Sequence, residues 1–119
     1  MGDRANIAIE QGDGTRVWLY THWRGSELPA TLQAALRRGE DRWCDGPYLA
    51  RIIFEEMIRG DQGSLTGFGI TTSEADNDGY PILVVDPDKA QVTLEPDGKE
   101  FTFERYCSMP DGISWEHLA

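Results

Sequence analysis

The beginning of the chain carries a pattern typical of a β-hairpin. Apolar and polar residues alternate in segments 6–10 and 16–22, so that every second side chain would point to the same face of a sheet. Gly12 and Gly14 lie between the two segments, and glycine tolerates the positive φ that tight turns require. The pattern therefore predicts two antiparallel strands joined by a short turn.

Two amphipathic helices are predicted next. In the first, apolar residues recur at three- and four-residue spacing, with Ser26 as N-cap, Pro29 in the first turn and Gly39 at the end. The second is predicted to begin near Pro47 and to end near Gly60, with one apolar stripe along its length. Helices that are apolar on one side are typical of a layer packed against a sheet.

The rest of the chain has the features of strands and turns. Strand-like patterns occupy segments 68–72, 80–85, 91–95 and 101–106, with turns at 86–89 and 96–99. The C-terminal residues are expected to form a short turn, with Trp115 packed on the body of the protein.

These elements give the order ββ-αα-ββββ. This order predicts an α+β fold in which an antiparallel or mixed sheet carries both helices on one face, within a single compact domain, 1–119. Six apolar residues are expected to be buried together: Leu32, Leu36, Ile52, Ile53, Ile82 and Val84.

Charge is the compositional feature that most restricts function. The 119 residues carry a formal net charge of −10, although 39% of them are apolar. Residues 1–60 hold nine acids and eight arginines, whereas residues 61–119 hold twelve acids and three basic residues. An acidic half repels the phosphates of nucleic acids and anionic membranes, which argues against direct nucleic-acid or membrane binding there.

Location and redox state follow from the same composition. The N-terminal residues contain no apolar stretch of the kind found in signal peptides, so a cytoplasmic location is expected. Cys44 and Cys107 are expected to be reduced in that compartment. Nothing in the pattern calls for a cofactor.

An acidic set in the meander formed by the last three predicted strands and the two turns between them is the main candidate for partner binding. Some of these carboxylates must share a face if the strands alternate, which would give a negative patch suited to a basic protein surface. The alternative is that they serve solubility alone. The set consists of Asp86, Asp88, Glu95, Asp97, Glu100 and Glu104.

Two other groups of residues suggest different chemistry. His22 ends the second predicted strand, and Asp3 and Arg4 precede the first, so the three could form a small hydrolase or transferase site. The structural alternative is a packed histidine beside Trp23, since the chain lacks a recognisable nucleophile motif.

The second group resembles the start of a calcium loop. With Glu74 at position 1, Asp76 and Asp78 fall at positions 3 and 5 and Gly79 at the glycine position. Position 12, which should be a bidentate acid, is Val85. An ordinary turn before a strand is the alternative to calcium or small-ligand binding.

Segments 1–6 and 20–29, with Asp76 and Asn77, resemble a family of short phage, prophage and prokaryotic proteins that begin Met-Gly-Asp/Asn-Arg-Ala. The resemblance implies no activity and no catalytic residue. It implies a context, because small acidic phage proteins often inhibit host defence, anti-CRISPR proteins among them.

The leading hypothesis from the sequence is therefore a small acidic binding protein without enzymatic activity. Its partner would be a basic protein surface, such as a host nuclease or a CRISPR effector, engaged by acidic mimicry of nucleic acid. The His22 enzyme and the calcium or ligand module remain as alternatives.

Overall fold

A computed structural model describes residues 2–119 and contains one six-stranded mixed sheet. The strands lie in the order β3-β2-β1-β4-β5-β6, and all neighbours are antiparallel except β1 and β4, which are parallel. The strands are β1 (Ala5–Glu10), β2 (Arg16–Thr21), β3 (Phe68–Thr71), β4 (Ile82–Asp86), β5 (Gln91–Glu95) and β6 (Lys99–Thr102).

Two long helices and two short ones complete the α+β fold. The long pair connects β2 to β3, and the short pair follows β6. The helices are α1 (Leu28–Arg38), α2 (Gly46–Met57), α3 (Phe103–Ser108) and α4 (Trp115–Leu118), and short 3-10 turns at Gly25–Glu27 and Glu40–Arg42 precede α1 and α2. None of the helices in residues 2–119 has the length and apolar character needed to cross a membrane.

The predicted α+β class and element order are confirmed, but two helix boundaries differ from prediction. Ser26 lies in the 3-10 turn and does not cap α1, which begins at Leu28 without a side-chain cap. Helix α2 is capped instead by Asp45, whose carboxylate accepts a hydrogen bond from the Tyr48 backbone, and it ends at Met57. The predicted Ser26 cap was therefore wrong, whereas the predicted start of α2 near Pro47 agrees with the structure.

The prediction of a strand across 101–106 was wrong, because the chain turns into helix α3 at Phe103. The Thr102 hydroxyl accepts a hydrogen bond from the Arg105 backbone and caps the helix. Phe103 and Tyr106 are three residues apart and both fully buried, so they lie on the same face of a helix, whereas a strand would place them on opposite faces.

The main core lies between the sheet and the helices. Ile7 and Ile9 of β1 face it beside Leu83 and Val85 of β4, and none of the four side chains is exposed to solvent. Leu32, Leu36, Ile52 and Ile53 from α1 and α2 cover this face and belong to the same cluster.

The opposite face of the sheet, called the back face below, has a second and smaller cluster. It contains Ala8, Ile82 and Val84, with Trp18 packed against it. The expectation that Ile82 and Val84 join the helix-side core was wrong, because they alternate with Leu83 and Val85 and therefore point the other way.

The C-terminus is held by a stacked aromatic pair. The Trp115 ring lies 5.2 Å from that of Tyr80 at an interplanar angle of 16°, and its indole nitrogen donates a hydrogen bond to the Gly25 carbonyl. The expected packing of Trp115 on the body of the protein is confirmed.

Two isoleucines provide a matched test of this packing. Ile53→Ala removes a side chain with no exposure, and we expect it to lower the free energy of unfolding by about 2–5 kcal/mol. Ile70→Ala alters a β3 side chain that is 63% exposed, so we expect a loss below about 1 kcal/mol. Urea denaturation of both variants measures the difference, and equal losses would contradict the placement of α2 on the sheet.

Candidate functional sites

The acidic set predicted from the sequence does not form one face. Asp86 and Asp88 lie at the β4–β5 turn, whereas Asp97 lies at the β5–β6 turn, at the other end of β5. A five-residue strand separates the two turns by about 17 Å. Glu95 and Glu100 occupy the back face, and Glu104 lies on α3.

Glu95 is committed to an internal ion pair. The Arg16 guanidinium donates two parallel hydrogen bonds to its carboxylate at 2.9 and 2.7 Å, and a third to Glu10 at 2.5 Å. These bonds to Arg16 are the main reason that the pKa of Glu95 lies below its ordinary value, against an opposing effect of burial. Glu95 is therefore not free to meet a partner as the sequence predicted.

Asp86 also has a structural role. Its carboxylate accepts hydrogen bonds from the backbone nitrogens of Asp88, at 3.0 Å, and Lys89, at 3.2 Å. Such bonds are ordinary aspartate turn chemistry. Asp86 is half-buried, so the β4–β5 turn limits what else this carboxylate can bind.

The other four acids of the set are exposed and frame the outer hairpin of β5 and β6. These are Asp88, Asp97, Glu100 and Glu104, and none forms a salt bridge within residues 2–119. Lys89, Lys99 and Arg105 are adjacent to three of them in sequence. The local excess of negative charge at this hairpin is therefore small.

The acidity of the surface is instead a property of the whole chain, which has ten more acids than basic residues. Seven of the eleven basic residues pair with seven of the 21 acids. Fourteen acids are then left without an arginine or lysine partner in the described part of the chain, against four basic residues. Those four are Arg42, Lys89, Lys99 and Arg105.

His22, Asp3 and Arg4 are close along the backbone but do not form a catalytic relay. The Asp3 amide donates to the His22 carbonyl at 2.7 Å, yet the Asp3 carboxylate accepts from the Tyr80 hydroxyl and, at 3.0 Å, from the Ser26 backbone. The His22 ring pairs with the Tyr20 hydroxyl at 3.1 Å and packs edge-on against Trp23.

The pKa shifts at Asp3 and Tyr80 have the same structural cause. Their hydrogen bond lowers the pKa of Asp3 and, together with burial, raises the pKa of Tyr80 to about 12. Tyr80 also stacks on Trp115. The Asp3 carboxylate thus joins the N-terminus to the loop before β4. This structural contact explains the lowered pKa of Asp3 without a catalytic role.

The calcium-like segment packs against the start of β1. The buried Asn6 amide donates to the Ala75 carbonyl and accepts from the Ala75 nitrogen, both at 3.1 Å. Asp78 accepts from the Arg4 backbone at 2.7 Å and pairs with its guanidinium at 3.4 Å. Glu74 and Asp76 are exposed, and residues 2–119 hold no group of three or more His, Cys, Asp or Glu side chains placed to bind a metal ion.

Neither cysteine forms a disulfide, and their surroundings differ. Cys44 is exposed, whereas Cys107 is half-buried, and burial raises the pKa of the Cys107 thiol. A raised thiol pKa disfavours the nucleophilic thiolate.

One surface was not anticipated from periodicity. Residues 62–73, here called the edge segment, include β3 and contain no charged side chain, in a chain of which 27% is charged. A groove of about 460 Å³ adjoins it on the helix side, between α2 and β2–β3. The uncharged run is the sequence signal that could have identified this surface.

Comparison of the chain with family models, with curated proteins and with solved structures gave no match. The resemblance to short phage and prokaryotic proteins therefore stays a prediction.

The Arg16–Glu95 pair predicts a pH effect on stability. Because the folded-state pKa of Glu95 is lowered, the pair stabilises the protein above the ordinary glutamate pKa and is lost as the pH falls. We expect Glu95→Gln to cost about 1 kcal/mol at neutral pH and to reduce the loss of stability between about pH 5 and pH 3.

Glu100→Gln is the matched control, since Glu100 is exposed and forms no salt bridge within residues 2–119. Its effect should be near zero at both ends of the pH range. Chemical denaturation across the range makes the measurement, and an acid dependence of Glu95→Gln equal to that of the wild type would refute the assignment.

Calcium provides a separate test of the 74–79 segment. Because Asp78 is engaged by Arg4 and position 12 is Val85, we expect Ca²⁺ at about 1 mM to leave the melting temperature unchanged within about 1 °C. Differential scanning fluorimetry with Ca²⁺, and with a chelator as control, measures this. A rise of several degrees would show that the segment binds the ion.

Proposed function

We propose that the protein is a non-catalytic binding protein whose negative surface captures a basic protein partner. The observation that carries this proposal is the excess of fourteen unpaired acids over four unpaired basic residues within residues 2–119. A field of this sign raises the rate at which positively charged surfaces are encountered, and it suppresses encounters with negatively charged ones.

The exposed acids of the outer hairpin supply the contact in this proposal. The whole surface supplies the steering, because the hairpin itself has only a small excess of negative charge. Asp88, Asp97, Glu100 and Glu104 are exposed, so they can pair with lysine or arginine without breaking an internal salt bridge. Glu95 is left out because Arg16 already holds it. The four remaining acids lie on the β5–β6 hairpin or directly beside it, in the β4–β5 turn and on α3.

The class of partner follows from the sign of the charge. Surfaces that bind nucleic acids are rich in Lys and Arg, because they neutralise phosphates. A nucleic-acid-binding protein is therefore the partner class that best complements this chain. A host nuclease or CRISPR effector within that class is suggested by the sequence resemblance alone.

The enzymatic alternative has less support from the geometry. The groups that would have to activate His22 are engaged elsewhere, since Asp3 bonds to Tyr80 and Ser26, and Arg4 pairs with Asp78. Each of these contacts has a structural purpose at the N-terminus.

The test compares two fourfold variants that remove the same charge. The hairpin variant is Asp88→Asn, Asp97→Asn, Glu100→Gln and Glu104→Gln. The control variant is Asp41→Asn, Asp76→Asn, Glu74→Gln and Glu116→Gln, whose four residues are also exposed. Affinity for a partner recovered by pull-down at low salt is then measured across a salt series.

We expect the hairpin variant to lose about tenfold or more in affinity and to show a weaker salt dependence, because it loses contacts as well as steering. The control variant should lose only the part due to steering, mainly in the association rate. Unchanged affinity and an unchanged salt slope in both variants would mean that the acids serve solubility.

A further inference from the structure

The two edges of the sheet differ in how they are protected from pairing. Strand β6 carries Lys99 and Glu100, and charges on an edge strand discourage the addition of another strand. Strand β3, at the other edge, has the sequence Phe-Gly-Ile-Thr within the uncharged edge segment 62–73. It pairs with β2 on one side only, so its other side presents unpaired backbone groups.

The edge segment is held in place rather than loose. The Trp23 ring packs on Gly67, where a Cβ would lie 2.2 Å from the ring, and the Gly67 carbonyl accepts from the His22 backbone at 2.8 Å. Arg24 pairs with Asp61 at 2.7 Å and lies over the Phe68 ring. A strand fixed in this way loses little conformational entropy when another strand adds to it.

An apolar groove continues this edge on the helix side. Helix α2 covers the middle of the sheet but leaves a space of about 460 Å³ between its outer side and strands β2 and β3. Val17, Leu19 and Ile70 line the sheet side, and Pro47, Ala50 and Phe54 line the helix side. Gln11, Arg51 and Glu55 complete the lining, and the two charged residues pair with each other at 2.5 Å. Ile70 is 63% exposed and Leu65 is 98% exposed.

We propose that a second copy of this chain covers the edge, with β3 of each copy pairing antiparallel across a two-fold axis perpendicular to the sheet. Such an axis keeps the helices of both copies on one side and extends the sheet from six to twelve strands. With the register centred near Ile70, the two Ile70 side chains meet on the helix side, between the two grooves.

Charge favours a second copy over a charged partner at this surface. Two copies that each carry −10 repel one another, and the repulsion is least where the facing segments are uncharged. A basic partner would find no carboxylate in the edge segment and would be drawn to acids elsewhere. In a two-fold dimer, each copy contributes the same surface patch. An antiparallel β3–β3 pair meets this condition, because β3 of one copy pairs with β3 of the other.

The affinity of this dimer should depend on salt in the direction opposite to the affinity for a basic partner, which salt weakens. Raising NaCl from about 50 mM to about 300 mM shortens the screening length from roughly 14 Å to roughly 6 Å and weakens repulsion between the copies. We expect the dimer to tighten with salt. A four-residue strand and one groove form a small interface, so a dissociation constant in the range of about 1–100 μM is expected.

Sedimentation equilibrium of the full chain from about 1 μM to about 500 μM, at both salt concentrations, tests the proposal. Ile70→Lys places a charge on the edge and should weaken the dimer at least about tenfold. Ile70→Thr keeps the β-branched shape, so the strand persists, and should weaken it less. Ala34→Lys adds the same charge on the exposed side of α1 and should leave the dimer intact.

Circular dichroism and thermal melting confirm that each variant folds. The proposal is overturned if the wild type sediments as a monomer over the whole range at both salt concentrations. It is also overturned if the dimer survives Ile70→Lys in a folded protein, because the interface would then lie elsewhere.

Discussion

The structure depends on burying the central strand β1 on both faces when helices cover only one. Residues Ala5 to Ile9 have no exposure, and α1 and α2 account for one face. The back face is closed by Trp18 and by the side chain of Arg16, whose bond to Glu95 spans from β2 to β5, about 14 Å in strand spacings. Trp18 packs on Ala8 and Val84, and the Arg16 guanidinium lies over the Trp18 ring. An aromatic ring and a paired charge thus occupy the face that the helices leave uncovered.

This solution affects the electrostatics of the whole surface. The Arg16 guanidinium is engaged by Glu10 and Glu95 and lies over the Trp18 ring, so it is not free to bind a foreign carboxylate. Arg37 is similarly engaged with the carbonyls of Cys107 and Met109 and with Asp111, so it fastens the C-terminal segment to α1. Much of the positive charge is thus held in internal ion pairs. Because these pairs hold equal numbers of acids and arginines, the unpaired groups keep the full negative excess of the chain.

Local patterns in the sequence were sufficient for most of the elements, though not for α3, and they did not indicate the pairs that join the elements. Alternation and helical spacing identified the hairpin, both long helices and the α+β class, because those signals depend on residues a few positions apart. Arg16 and Glu95 are 79 positions apart, and no spacing rule indicates that they meet. The prediction of a strand at Phe103 was wrong for another reason. Alternation with Phe101 fits a strand, while the three-residue spacing from Phe103 to Tyr106 fits a helix. The Thr102 cap favours the helix. The same limit applies to Asp3, whose partner Tyr80 lies 77 positions away.

The two edges of the sheet impose different conditions on any partner. At β6, charged side chains make backbone pairing costly and leave long-range attraction as the means of binding, which salt weakens. At β3, an uncharged strand beside an apolar groove offers backbone hydrogen bonds and burial of apolar surface. Salt does not weaken these interactions. They are opposed by the long-range repulsion between two negatively charged copies, which salt screens. For the two proposed contacts, the ionic strength of the solution would therefore set the balance between the two edges. A basic partner bound at β6 would also neutralise part of the charge that separates two copies at β3, so occupancy of one edge would favour pairing at the other.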